Sequence, residues 1–185
     1  GLFDGRTSSD VKFESRLTTF DISQLPEDGP AVSLVMAVAN VWLLGTLKRN
    51  GARFKTNVVA EEGWHLIGGP GGRLFHSNQK LARALGLSTI ANFHHLSDVP
   101  SDSTARTVVK EAQTVHIYRQ DREEDVNECM SSFNLQEGSR PLLTDLYQGH
   151  HLLKISNRRE IHVQHVRSPI EEQLTDTDAA MLAAR

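Results

Sequence analysis

One cysteine in 185 residues, Cys129, has no partner for an intramolecular disulfide and excludes a multi-cysteine zinc site. Long apolar runs are also missing. A membrane-spanning helix needs about 20 consecutive apolar residues. The best stretch, Ala31 to Leu47, is interrupted by Ser33, Asn40, Gly45 and Thr46. Neither sign of charge dominates: 20 Lys and Arg stand against 23 Asp and Glu, a formal net charge of −3. That balance argues against a basic nucleic-acid surface over the whole chain, though not against a local one. The sequence opens with no signal peptide and no initiating Met, so it is expected to be a piece of something longer. No Gly-x-x-x-x-Gly-Lys-Ser/Thr occurs. Gly68 to Arg73 is glycine-rich but lacks the lysine and the hydroxyl, and reads as a flexible loop.

What remains is an ordinary globular composition, 38% hydrophobic and 23% charged, long enough to bury one core. Leu17 to Ile22 reads as a strand, and Ser23 to Pro30 as a loop and helix start. From Ala31 to Arg49, Val32, Val35, Met36, Val38, Ala39, Trp42 and Leu43 recur at helical spacing. This predicts a long helix, apolar on all but a narrow face and closed by Asn50-Gly51. Lys55 to Ala60 is a strand with apolar residues for both faces. Leu74 to Leu85 is a helix stopped by Gly86, Leu87 to Phe93 a strand, Thr104 to Ala112 a short helix and Thr114 to Tyr118 a fourth strand. Glu123 to Phe133 and Pro141 to Leu146 are helical, and His150 to Ile155 forms a hairpin with Glu160 to Val166. A tail from Ser168 reads as a surface helix or frayed end. Strands separated by long crossovers pair in parallel, so the fold class is α/β, a layered sheet with helices on both faces and a C-terminal β-hairpin.

Three strand ends carry polar groups. Asp21 and Ser23 follow the first, Glu61 and Glu62 the second, and His94, His95 and Asp98 the third. Ligands of open α/β sheets sit at the carboxyl ends of the strands. The apolar run Val58-Val59-Ala60 ending in Glu61-Glu62 is the pattern of a Walker B strand: one carboxylate for the shell of a metal, the next to orient a water. A nucleotide triphosphate with Mg²⁺ needs those two groups and a polar sensor for its terminal phosphate.

Phe20-Asp21-Ile22-Ser23-Gln24-Leu25, Val58-Val59-Ala60-Glu61-Glu62-Gly63-Trp64, Arg83 with Gly86, and Phe93-His94-His95-Leu96-Ser97-Asp98 resemble, in that order, the VirB4/TraC-like ATPases of conjugation systems. These are hexameric motors of the HerA/FtsK branch of P-loop NTPases. The segment from Ile170 to Met181 also looks like the end of actinobacterial members. The resemblance implies a three-layer RecA-like P-loop NTPase core, mostly parallel, incomplete at its N-terminal side because the P-loop precedes everything seen here. Residues 1–167 would be the C-terminal part of that ATPase domain and 168–185 a tail. It implies ATP and Mg²⁺ as cofactors of the whole protein, with Glu62 polarising the attacking water, Glu61 holding the Mg²⁺ shell, His94 sensing the γ-phosphate and Arg83 acting as the arginine finger. Asp21 and Ser23 would touch the cofactor. The implied partners are further copies in a hexameric ring and components of a type IV secretion or conjugation machine, with DNA or protein as the moved substrate. The implied location is the cytoplasmic face of the cell membrane. Two residues depart from the family: Glu61 stands where Asp is usual, and His94 where a Gln is usual. Without a P-loop, the chain alone is expected neither to bind nor to hydrolyse ATP appreciably. The strands Thr89–Phe93 and Thr114–Tyr118, which would flank the P-loop strand, are expected to pair directly.

Other readings stay open on the sequence. A non-hydrolysing scaffold of the same machinery accommodates the departures at Glu61 and His94. A metal-dependent hydrolase would use His94, His95 and Glu62. Trp64 reads as a packing residue, His150 and His151 as cross-strand surface residues, Arg106, Arg119 and Arg122 as solvated charges, and Cys129 as inert.

Overall fold

The computed structural model describes residues 16–22, 24, 25, 30–50, 55–61, 84–99, 106 and 109–175. They belong to two units. The N-terminal unit is Gly1–His94 with Asp98–Val108, and the C-terminal unit is His95–Ser97 with Val109–Arg185. The architecture is mixed α/β, and the parallel and antiparallel pairings fall in separate sheets. No helix among the described residues is long and apolar enough to cross a membrane.

In the N-terminal unit, α1 runs from Pro30 to Asn50. Proline suits a first helical position because its fixed φ is helical and its missing N–H would have had no partner there. Lys48 and Arg49 in the last turn oppose the negative end of the helix dipole. Val32 and Leu47 are buried, while Leu34, Val38 and Val41, one stripe at i, i+4 and i+7, remain exposed. The expected strand over Leu17–Ile22 does not form. That stretch is irregular, and Phe20 sets its ring edge-on to Trp42 of α1 with centroids 6.1 Å apart. An aromatic contact with the helix takes the place of a ladder.

β1 (Thr56–Ala60) and β2 (Leu87–Ala91) pair in parallel, from Thr56 opposite Leu87 to Ala60 opposite Ala91. Gly86 ends the preceding helical turn at φ +65°, a left-handed conformation that glycine adopts without penalty, and its carbonyl accepts from Thr56 N at 3.0 Å. β1 was expected to be covered on both faces. Its burial alternates instead, and Val59 and Ile90, opposite one another in the register, both point into solvent. The predicted helix Leu74–Leu85 lies outside the described residues except for its last turn, Ala84 and Leu85, which is helical. The glycine-rich loop, Trp64 and the segment before Arg16 lie outside them as well.

The C-terminal unit contains β3 (Thr114–Ile117), α2 (Glu123–Ser132), a 3₁₀ turn (Glu137–Ser139), α3 (Arg140–Asp145), β4 (His150–Ile155), β5 (Ile161–Gln164) and α4 (Pro169–Thr175). The hairpin forms as read, with His151 opposite Val163. Gly149 at φ +80° sets its entry, and its carbonyl accepts from His165 N at 2.8 Å. β3 departs from the expectation. It was to join the parallel sheet beside the strand ending at Phe93, but its ladder partner is β4, antiparallel, with His116 opposite Leu153. The physical reason is packing within the unit. Antiparallel pairing puts Ile117 opposite Leu152, and both are buried together with Val126, Cys129 and Met130 of α2, Leu143 of α3, and Leu146. Cys129 is therefore sealed in the core, as its inert reading requires. Arg106, expected in solvent, is buried in the N-terminal unit, where its Nη1 donates to Val99 O at 3.4 Å.

Candidate functional site

The parallel pair creates one carboxyl edge. Because Ala60 and Ala91 stand opposite each other, the residues that follow, Glu61 and Asn92, emerge side by side. Asn92 N continues the ladder by donating to Ala60 O at 2.9 Å, and Asn92 Nδ2 donates to Glu61 Oε2 at 3.1 Å. The amide holds one oxygen of an exposed carboxylate and leaves its remaining lone pairs facing water. An oxygen donor of this kind suits a hard, hydrated cation better than a transition metal. His94, two residues beyond Asn92, is exposed on the bend that leaves the same strand.

Of the residues singled out from the sequence, Glu61 and His94 thus share this edge. Asp21 is exposed on the irregular stretch before α1, outside both strands. Glu62, Arg83 and Ser23 lie outside the described residues. Asn92 was not singled out. The signal that could have found it is its position, one residue past a strand end in register with Glu61.

A second polar cluster lies within the C-terminal unit. Asp125 is 1% exposed, yet carries a carboxylate. A charge taken out of water costs several kcal/mol unless its lone pairs are satisfied. Here His95 Nδ1 lies 3.0 Å from Oδ2, Ser97 Oγ donates to Oδ1 at 2.8 Å, and Ser97 N reaches Oδ1 at 3.4 Å. The carboxylate accepts, so His95 carries its proton on Nδ1 and keeps Nε2 for any other partner. The cluster fastens the 95–97 turn to the first turn of α2, and it orients one imidazole. A metal reading of His95 would have only Nε2 to use. Among the described residues no group of three or more His, Cys, Asp or Glu side chains is arranged to hold a metal ion. Asp125 escaped the sequence reading because three acids in a helix's first turn, Glu123, Glu124 and Asp125, are an ordinary dipole device. Helical spacing carries the missed information: Asp125 shares a face with Val126, Cys129 and Met130, all buried.

A second buried acid, Glu160, is 7% exposed. Its Oε1 accepts from Gln136 N at 2.7 Å and from Ser139 Oγ at 2.5 Å, and Lys154 Nζ lies 3.8 Å from Oε2. Burial alone would raise its pKa. The Ser139 hydroxyl, backbone N–H groups and Lys154 outweigh burial and hold it below the usual glutamate value.

No family model matches this sequence. No curated protein matches it either. Among solved structures, the chain is similar to VirB4 of Thermoanaerobacter pseudethanolicus, with a TM-score of 0.69 and 20% sequence identity over 81% of its own length. The match spans 40% of that VirB4 chain. At this identity the likeness is one of fold: the chain folds like part of VirB4.

Proposed function

We propose that the chain is the C-terminal part of a VirB4-like motor ATPase that energises conjugative transfer or type IV secretion. The observation that carries this reading is the edge built by β1 and β2, where two parallel strands in register end in Glu61 and, three residues past Ala91, in His94. The fold likeness to VirB4 supports the same assignment. In the complete protein the two strands belong to a three-layer RecA-like core whose P-loop lies outside this sequence, and 168–185 form its tail. ATP and Mg²⁺ are the cofactors. Mg²⁺ supplies charge neutralisation of the phosphates when bound. Glu61 holds its hydration shell through a carboxylate whose other contact is the Asn92 amide. Glu62 takes the proton of the attacking water, His94 contacts the terminal phosphate, and Arg83 reaches the site of a neighbouring copy in a hexameric ring. Asp21 and Ser23 line the cofactor. The ring works at the cytoplasmic face of the membrane with other secretion components, on DNA or protein.

The test is kinetic and uses the full-length protein. Glu62→Gln should retain nucleotide binding while turnover falls by about 10²-fold or more, the loss expected when a general base is removed. Glu61→Gln should weaken Mg²⁺-dependent binding instead. Exchange of the two phenotypes would put the acidic pair one residue out of register. Full nucleotide binding with no turnover in the wild type would favour the non-hydrolysing scaffold, to which Glu61 in place of Asp and His94 in place of Gln already point.

A further inference from the structure

Five of the nine histidines lie on or beside the three-stranded sheet of the C-terminal unit: His116 on β3, His150 and His151 on β4, His162 on β5 and His165 just past it. Four of them form two cross-strand pairs. His116 Nδ1 lies 3.0 Å from His151 Nε2, and His150 Nδ1 lies 2.9 Å from His162 Nε2. Nitrogens this close share one proton, with one ring donating and the other accepting. Two donors per pair fall short of the four ligands that structural zinc takes, and among the described residues no third donor completes a metal site at either pair.

His151 is the member with least freedom. It is 4% exposed, beneath His116 and Tyr118, whose rings lie 4.8 and 5.2 Å from its own, centroid to centroid. Its Nδ1 is buried without a hydrogen-bond partner. A buried N–H with no acceptor is costly, so the proton sits on Nε2 and is donated to His116 Nδ1. A second proton on His151 would have to go to the orphaned Nδ1. A second proton on His116 would replace its acceptor lone pair with an N–H aimed at another N–H.

We propose that this sheet is a proton-operated clasp: β3 is held to β4 by the His116–His151 imidazole pair, which a further proton on either ring would break, and acidification through the histidine range loosens the C-terminal unit. The histidines around His151 act in the same direction: His116 from β3, His150 from its own strand, and His162 and His165 from β5 and its end, while Tyr118 of β3 covers the ring. Glu171 of α4 stands 3.9 Å from His165, and Arg119 and Asp145 line the groove beside His162. Burial, and then the positive charge of the neighbouring histidines, push the His151 pKa below its ordinary value. A lowered folded-state value means that the unfolded chain binds the proton first. The stabilisation is therefore complete above about pH 6.5, the ordinary histidine value, and is lost as pH falls from there through the folded-state value. Glu160, held below the usual glutamate value, stays ionised throughout that window.

The experiment is thermal unfolding of the 185-residue chain in EDTA at pH 7.5, 6.5 and 5.5, read by tyrosine near-ultraviolet circular dichroism. Both tyrosines, Tyr118 and Tyr147, belong to the C-terminal unit. The midpoint should fall by about 2–4 °C between pH 7.5 and 5.5, the shift that about one lost protonation-linked interaction produces at this chain length. His151→Leu should flatten the dependence to less than half. Proton NMR of the wild type should show the His151 ring titrating below the ordinary histidine value of about 6.5. That readout decides the matter if His151→Leu does not fold. A midpoint that does not move, a slope retained in His151→Leu, or a His151 ring that titrates at or above the ordinary histidine value would each overturn the proposal. So would unfolding by EDTA alone at pH 7.5, which would make the pairs metal ligands.

Discussion

In the C-terminal unit Val126, Leu143 and Leu152 keep no more than 1% of their surface in contact with solvent, whereas in the N-terminal unit Leu34, Val38, Val41, Val59 and Ile90 keep between 48% and 63%. The C-terminal unit keeps its most exposed apolar side chains, Tyr147, Val166, Ile170 and Leu174, outside its sheet, so the difference lies in whether partners for the sheet and helix faces are close at hand. In the C-terminal unit, β3 to β5 and the helices between them are consecutive in sequence, and the core closes among themselves. In the N-terminal unit, a helix apolar nearly all round and two strands made for cover on both faces leave one stripe and one cross-strand pair open among the described residues. Apolar faces of that kind are ordinarily covered in a folded protein. The candidate catalytic edge, Glu61 with Asn92, belongs to this more open unit. The buried acids Asp125 and Glu160 belong to the closed one, where their task is cohesion.

Five substitutions break or sharpen the contrast. Leu143→Ala, at a site with 0% exposure, should cost about 2–5 kcal/mol in denaturant unfolding of the C-terminal unit. Asp125→Asn should cost about 2–3 kcal/mol, because the amide offers the wrong group to one of its donors, His95 Nδ1–H or the Ser97 hydroxyl. His95 should then lose its fixed tautomer, visible in ¹⁵N imidazole shifts. Glu160→Gln should cost about 1–2 kcal/mol at pH 7. With its pKa lowered on folding, the wild-type stabilisation is present above the ordinary glutamate value and is lost as pH falls through the folded-state value, so the two proteins should converge in acid. Val59→Thr and Ile90→Thr, on the open sheet face, should each change stability by less than about 0.5 kcal/mol. A loss of several kcal/mol at Val59 would mean that the face is covered in solution and that the contrast is mistaken.

The parts of the fold that could be read from the sequence are those set by local chemistry. Pro30 and the apolar period gave α1 to within a residue or two, Gly86 fixed the start of β2, and the short spacer Ser156–Arg159 joined β4 to β5 in the expected hairpin. The parallel pairing of β1 with β2 followed from the long crossover between them. What escaped depends on tertiary choices. Leu17–Ile22 has a strand's composition, but Phe20 meets Trp42. β3 has a strand's composition too, and nothing in Thr114–Tyr118 says that its partner is β4. His151 looks like any polar residue on a hairpin, and its burial arises only once Tyr118 and His116 arrive from β3. At the candidate site, Glu61 and His94 were identifiable from residue type and strand end, while Asn92 and Asp125 needed register and helical face.

Native-state hydrogen exchange tests the contrast most directly, since it reads the stability of each strand separately. In the intact 185-residue chain at pH 7.5, the ladder amides of Ile117, Leu152 and Val163 should exchange slowest and together, at the limit set by global unfolding of the C-terminal unit. Those of Val58, Ala60 and Ile90 should exchange at least about tenfold faster, a difference of roughly 1.4 kcal/mol in opening free energy. Equal protection of the two sets, or slower exchange in β1 and β2 than in β3 to β5, would contradict the account.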